Sequence, residues 1–241
     1  MITLIRKMYK YDKKILVSGC GISFSGQQAK TWVNILSLTG ADIVDTGAPA
    51  VSNQWIINRA FLQLEADSTI RQAVLQLTAM GKLDVEINEE RIKELVEPDP
   101  IRNFTVDDVW PSSASEHHPS KQLWRQWLFS VQLEQQDVIC KLRLLKHWCD
   151  AHAVKLTVIQ GYDMRWDPDQ QAQLASIIHD VEYNIIDHYH GSEWYTNNQT
   201  IDVPVLGFQF ETALAVAQHI DPALADRVEK IRQDFEKSRA V

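Results

Sequence analysis

The sequence predicts a single α/β domain over residues 1–241, in which helices cover both faces of a parallel sheet. Short apolar runs alternate along the chain with longer segments whose apolar residues recur at helical spacing. Parallel strands need long crossover connections, and the helical segments supply them. No internal repeat or low-complexity tract interrupts the alternation. We therefore expect three layers, with the sheet between two layers of helices.

The first half of the chain predicts three strands and two helices. The strands are the apolar runs 15–17, 41–45 and 73–77. Helical spacing predicts one helix over 29–38 and a second from Asn53 onwards. Gly40 suits the C-terminal cap of the first helix, and Ser52 or Asn53 suits the N-terminal cap of the second.

The second half predicts a long loop, three helices and one strand. Prolines and serines between residues 97 and 121 predict an excursion without regular structure. A long helix is expected over about 121–152, followed by a strand over 154–159. Two helices close the chain, at 208–220 and at about 222–238, and Asp221 and Pro222 are typical of the start of the last one.

Composition and charge exclude several classes of protein. The chain has 24 basic and 32 acidic side chains, a formal charge of −8 that would repel nucleic acid phosphates. No run approaches the roughly 20 apolar residues of a membrane-spanning helix, and no signal-peptide core follows Met1. The three widely spaced cysteines predict a reducing compartment. We expect a cytoplasmic protein that binds neither nucleic acid nor membrane, of unknown oligomeric state.

The turn after the first strand contains a candidate nucleophile. In parallel sheets ligands bind beyond the carboxyl ends of the strands, and Ser23 lies there between glycines, just before a helix. Backbone N–H groups at such a turn can stabilise an oxyanion. The same residues also fit an ordinary turn in which serine caps the helix. Phosphate-binding loops do not fit, because Phe24 occupies the third glycine position of the dinucleotide pattern and Gly-Lys-Ser/Thr is absent.

Two turns together resemble the SGNH (GDSL-like) hydrolase superfamily. Residues 21–25 stand where the family has Gly-Asp-Ser-Leu-Ser, and Gly47 falls in its second block. Some members share further features, which occur here as Cys20, Ser23, Phe24, Trp32, Pro49, Ser52 and Asn53. The resemblance is best over residues 13–80. It implies a flavodoxin-like three-layer fold and ester hydrolysis or acyl transfer on a small or carbohydrate-linked ester, with no cofactor and no metal.

The resemblance also assigns roles to individual residues. Ser23 would be the nucleophile, and its own backbone N–H and that of Gly47 would hold the oxyanion. The family's third donor is an asparagine after the third strand, which residues 75–81 lack. Asn53, Thr78 or Gln76 would take that place.

The catalytic base is the largest departure from the family. Val203 occupies the position of the family's histidine before the final core helix. Asp187 and His190, slightly upstream, have the family's Asp-x-x-His spacing, so Asp187 could orient His190 as the base. A metal-binding pair of His188 and His190, or a solvated loop, fits the same residues.

The function therefore stays open between two main hypotheses, since a serine without a base is a poor nucleophile. One is a serine hydrolase, and the other is a non-catalytic binding or assembly protein that has lost the base. A metal-dependent enzyme is a third. Four tryptophans lie near the predicted turns: Trp55, Trp110, Trp166 and Trp194. If they are exposed, they would suit a sugar-linked substrate. The alternative is that they pack loops onto the domain.

Overall fold

A computed structural model describes residues 11, 13–19, 31–48, 51–78, 80, 130–161, 166–175, 177 and 203–239. Ten elements follow one another in these ranges: β1 (Lys14–Ser18), α1 (Trp32–Leu38), β2 (Asp42–Asp45), α2 (Asn53–Ala66), β3 (Gln72–Leu77), α3 (Val131–Ala151), β4 (Lys155–Gln160), α4 (Pro168–Ala175), α5 (Val203–Ile220) and α6 (Pro222–Arg239).

The four described strands form a parallel sheet in the order β2-β1-β3-β4. Val17 in β1 pairs with Asp45 of β2 on one side and with Val74 of β3 on the other. This is the flavodoxin-like order, so the predicted α/β class is confirmed. The chain runs from β1 outward to β2 and then returns past β1 to β3. The strand order therefore reverses between β1 and β3, which makes this boundary the topological switch point of the sheet.

Helices cover the sheet on both faces. Alternate side chains of each strand point to opposite faces. Leu16 and Leu75 pack in the core beneath α2 and α3, whereas Val17 and Val74 pack in the core beneath α1, α5 and α6. The first two crossovers run in opposite directions, and right-handed connections then place α1 and α2 on opposite faces, as observed.

The predicted helix caps are confirmed at three positions. The Ser52 hydroxyl accepts the Trp55 N–H at 3.1 Å, at the start of α2. Asp221 Oδ1 accepts the Ala223 N–H at 3.0 Å, at the start of α6. Gly40, just beyond α1, has φ of 84°, a left-handed conformation that glycine adopts without strain. Local sequence therefore sets where these helices begin and end.

Other boundaries differ from the prediction. α1 begins at Trp32 rather than at 29, and α3 is described from Val131, with Ser130 as its cap. The expected start of that helix at 121 and the excursion over 97–121 lie outside the described residues. α5 begins at Val203 rather than at 208, and Pro204 fits there because the first turn of a helix does not use its N–H groups internally. None of the helices in the described ranges combines the length and apolar character needed to cross a membrane.

Candidate active site

The carboxyl ends of all four strands meet at one edge of the sheet, here called the carboxyl edge. Gly19, Thr46, Thr78 and Gly161 are the residues at or just beyond the four strand ends. α1 and α2 begin at this edge, because each follows a strand. Their amino ends face the space where ligands of such sheets bind, and the N–H groups of Trp32 and Trp55 there are bound by Gln209 and Ser52.

The first and second turns are held together by backbone hydrogen bonds. The Thr46 N–H donates to the Val17 carbonyl at 2.8 Å, and the Ala48 N–H donates to the Gly19 carbonyl at 3.1 Å. Gly47 lies between these contacts, and a Cβ there would come within 3.2 Å of the Gly19 carbonyl oxygen. The absence of a side chain at Gly47 therefore lets the second turn pack directly against Gly19.

The Gly47 N–H has a partner within its own turn. It donates to Asp45 Oδ1 at 2.8 Å. A negatively charged oxygen bound by this N–H would have to displace the Asp45 carboxylate, which otherwise repels it. The fold is compatible with the position that the resemblance assigns to Gly47, but the Gly47 N–H is already bound by Asp45 in this structure.

Asn53 and Thr78, both fully buried, are brought together. The Asn53 side chain donates to the Thr78 carbonyl at 2.9 Å and accepts the Thr78 N–H at 2.7 Å. The amide side chain thereby pairs with the end of β3 as a neighbouring strand would. Asn53 Nδ2 also lies 3.7 Å from Met80 Sδ. These contacts link the start of α2 to the residues after β3, and they occupy the amide group of Asn53.

Gln76, the remaining candidate for the third donor, points into the layer of α1 and α5. Its Oε1 accepts the Trp32 indole N–H at 2.9 Å. A Cβ at Gly161 would lie 2.8 Å from Gln76 Nε2 and 2.7 Å from the Leu77 carbonyl oxygen. Glycine at 161 therefore leaves room for the Gln76 amide at the end of β4.

One of the tryptophans near the strand ends is a packing residue. Trp166 is buried against the core of α2 and α3, and its indole N–H donates to Gln160 Oε1 at 3.1 Å. Trp55, in the first turn of α2, is half-buried. Loop packing is thus the role of Trp166, whereas Trp55 packs partly against the same core and has the Arg59 guanidinium 5.4 Å from its ring centre.

The predicted catalytic residues Ser23, Asp187 and His190 lie outside the described residues. Gly19 and Thr31 are the described residues nearest to Ser23 in the sequence. Val203, at the family's histidine position, is the first residue of α5.

Gln209 is a site-edge residue that the sequence analysis missed. Its Oε1 accepts the backbone N–H of Trp32 at 2.6 Å, across 177 positions of sequence. The available indication was a glutamine within the otherwise apolar run at the start of the predicted helix over 208–220. Nothing in the sequence pairs it with Trp32.

Among the described residues, Lys14, Asp67 and Asp221 have shifted pKa values and lie at the opposite, amino edge of the sheet. Hydrogen bonds from Thr69 and Lys14 lower the pKa of Asp67 to about 2, at the amino edge of the sheet. A groove of about 410 Å³ also opens at that opposite edge, between the ends of α2 and α3. In the part of the chain that the structure describes, no three His, Cys, Asp or Glu side chains are grouped to hold a metal ion.

Comparison with known proteins gives structural neighbours only. No family model matches the chain, and no curated protein matches it. Similar solved structures include a protein described as a lipolytic protein of the G-D-S-L family from Desulfitobacterium hafniense DCB-2, at 11% identity and a TM-score of 0.38 over 68% of this chain and 73% of that one.

Two further neighbours span more of the chain. TesA is 12% identical, with a TM-score of 0.40 over 90% of this chain and 97% of its own. The psychrotrophic esterase EstA from Pseudoalteromonas sp. is 12% identical, with a TM-score of 0.39 over 94% of this chain and 100% of its own. The G-D-S-L family named for the first neighbour is the one that the first two turns of this sequence resemble.

Proposed function

We propose that this chain is a serine-dependent ester hydrolase or acyl transferase. The observation that carries the proposal is the contact between the first two turns, where Gly47 lies against Gly19 and the Ala48 N–H binds the Gly19 carbonyl. An acyl-transfer site needs a nucleophile beside backbone N–H donors. Ser23 follows Gly19 by four positions in the sequence, so the contact of the second turn with Gly19 supports the proposal.

In the proposed reaction the Ser23 hydroxyl attacks the ester carbonyl and His190 takes its proton, with Asp187 orienting the imidazole. The N–H groups of Ser23 and Gly47 hold the oxyanion of the tetrahedral intermediate, and the Gly47 N–H first has to release the Asp45 carboxylate. His190 then protonates the departing alcohol, which leaves an acyl group on Ser23. Water completes hydrolysis, or a second alcohol completes acyl transfer.

The proposed substrate is a small or carbohydrate-linked ester without a large negative charge. The net charge of −8 disfavours a phosphate-rich ligand. A sugar could contact Trp55, which is half-buried in the first turn of α2 at the carboxyl edge, on the part of its ring that the core and the Arg59 guanidinium leave open.

Labelling with a fluorophosphonate probe tests the nucleophile. We expect the probe to modify the wild-type chain and Ser23→Ala to abolish the modification, while Ser25→Ala in the same turn remains labelled. Equal labelling of wild type and Ser23→Ala would exclude Ser23 as the nucleophile. His190→Ala should slow labelling strongly, whereas His147→Ala, an exposed residue of α3, should not.

A binding protein that has lost its base is the second candidate. The Asp45 carboxylate on the Gly47 N–H favours it, since this contact blocks one oxyanion donor. A panel of p-nitrophenyl acyl esters separates the candidates, because only the hydrolase releases p-nitrophenol above the rate of Ser23→Ala.

A further inference from the structure

The groove at the amino edge of the sheet has the size of a small-molecule site. It encloses about 410 Å³ between the ends of α2 and α3, and such sites typically measure about 300–1,000 Å³. The buried side chains of Leu64, Ile70 and Val154 form its apolar part. The proposed ester site lies at the other end of the strands, so the proposed function leaves this groove without a role.

Two stacked aromatic rings line the same groove. Trp148, in the last turn of α3, and His152, at the cap of that helix, have ring centres 3.9 Å apart and planes inclined by 14°. Phe61 of α2 packs edge-on against the Trp148 ring at 5.7 Å, and His152 Nδ1 lies 2.7 Å from the Trp148 carbonyl oxygen. These contacts hold the two rings in place, so the groove presents an aromatic surface of fixed shape to a ligand.

Two side chains of opposite charge line the groove without an ion-pair partner. Glu65, in the last turn of α2, and Arg71, just before β3, are exposed, and neither forms a salt bridge with any residue that the structure describes. The other carboxylate of the groove, Asp67, is bound by Lys14 at 2.9 Å. The groove therefore offers one carboxylate and one guanidinium to a ligand.

The guanidinium of Arg71 is held in a fixed orientation by the turn between α2 and β3. Its Nη1 donates to the carbonyl of Ser68 and, at 3.0 Å, to the carbonyl of Ile70. No described residue binds the N–H groups on Nη2 and Nε. These groups can therefore donate to both oxygens of a ligand carboxylate, in the paired geometry typical of arginine.

We propose that this groove binds a zwitterionic small molecule with an apolar body, namely an α-amino acid with an aromatic side chain. Arg71 binds the ligand carboxylate, and Glu65 binds the ammonium group. α2 and α3 both end at the groove, and the negative pole of a helix end adds to the attraction for the ammonium group. The aromatic side chain packs against the apolar residues and the stacked rings. A fatty acid or a simple amine would leave one of the two charged side chains without a partner.

Ligand-observed NMR titration with L-phenylalanine tests the site. We expect the wild-type chain to bind L-phenylalanine with a Kd of about 1 mM or tighter, as for a ligand of this size. Phenylpropionate lacks the ammonium group, and phenethylamine lacks the carboxylate. Each should bind at least about tenfold more weakly, because one charge-assisted hydrogen-bonded contact is lost.

Three variants test whether the groove is where binding occurs. Arg71→Gln should weaken the binding of L-phenylalanine at least about tenfold and leave that of phenethylamine unchanged. Glu65→Gln should weaken the binding of L-phenylalanine and leave that of phenylpropionate unchanged. Arg143→Gln, at an exposed position of α3 outside the groove, makes the same chemical change as Arg71→Gln and should bind like the wild type.

Several results would overturn the proposal: no binding of L-phenylalanine by the wild type, unchanged affinity in either groove variant, or a loss in Arg143→Gln that matches the loss in Arg71→Gln. Equal affinity for L-phenylalanine and a singly charged analogue would contradict a zwitterionic ligand. Circular dichroism checks that each variant is folded, as we expect for changes of exposed side chains. The titration needs no turnover, so a failure of the proposed hydrolase activity is a separate result.

Discussion

Single side chains at the amino edge of the sheet hold the ends of the strands in place. Asp67, just after α2, accepts hydrogen bonds from the Thr69 hydroxyl at 2.5 Å, from Lys14 at 2.9 Å and from the Thr69 N–H at 2.9 Å. These bonds favour the charged carboxylate and lower its pKa from 3.8 to about 2. Asp67 thereby links β1 to the turn that leads into β3.

This depressed pKa predicts a pH dependence of stability. A carboxyl with a lower pKa in the folded state stabilises the fold above its unfolded pKa, and the contribution disappears as the pH falls from about 4 towards 2. Asp67→Asn should therefore unfold more easily in urea at neutral pH and lose part of the acid dependence in that window. Asp226→Asn, an exposed change on α6, is the control, and an equal effect there would contradict the role of Asp67.

At the scale of secondary-structure elements, hydrogen bonds between turns shape the carboxyl edge together with the packing of helices. Each helix buries an apolar stripe, but the carboxyl edge depends on hydrogen bonds that cross from one element to the next. Asn53 joins α2 to the end of β3. Gly47 joins the second turn to the first. Such bonds set the relative positions of the turns from which a site is built.

Removal of the Asn53 amide tests this coupling. In Asn53→Ala the buried N–H and carbonyl of Thr78 both lose their partner, and each such loss costs about 1–3 kcal/mol. We expect the free energy of unfolding, measured by urea denaturation, to fall by at least this amount. Gln54→Ala, at an exposed position next in α2, should change it by less than about 0.5 kcal/mol. Equal values for the two variants would show that the Asn53–Thr78 pair is not stabilising.

For the molecule as a whole, charge and topology act together. The parallel sheet directs the amino ends of α1 and α2 to the carboxyl edge, whereas the chain carries a net charge of −8. Long-range repulsion from this charge acts on a negatively charged ligand, and salt weakens it.

This predicts a salt-dependent preference among esters. The KM for an anionic ester such as p-nitrophenyl hemisuccinate should fall as ionic strength rises, because screening removes the repulsion. The KM for neutral p-nitrophenyl acetate should stay nearly constant over the same range. Parallel changes for both esters would indicate that the net charge has no influence on substrate choice.

The order of the strands and of every described helix except α4 was predictable, because hydrophobic periodicity is local and is repeated along each element. Caps such as Ser52 and Asp221 were predictable for the same reason, since each bonds to a residue two or three positions away. α4 was missed, because it is short and only Gln170 and Leu174 are its buried residues. The start of α5 at Val203 was not predictable either, because Pro204 and Gly207 have low helix propensity and indicated that the helix begins after them.

The contacts that build the carboxyl edge depend on the folded chain. The sequence singled out Gly47, Asn53 and Thr78 through turn composition and family resemblance, but it did not pair Asn53 with Thr78 or Gly47 with Asp45. Gln209 and Trp32 meet only because α5 packs beside α1 on one face of the sheet. Hydrophobic periodicity indicates which side of a helix or strand faces the core. A hydrogen bond between distant residues forms only when two particular elements pack side by side, and that arrangement is decided by the tertiary structure.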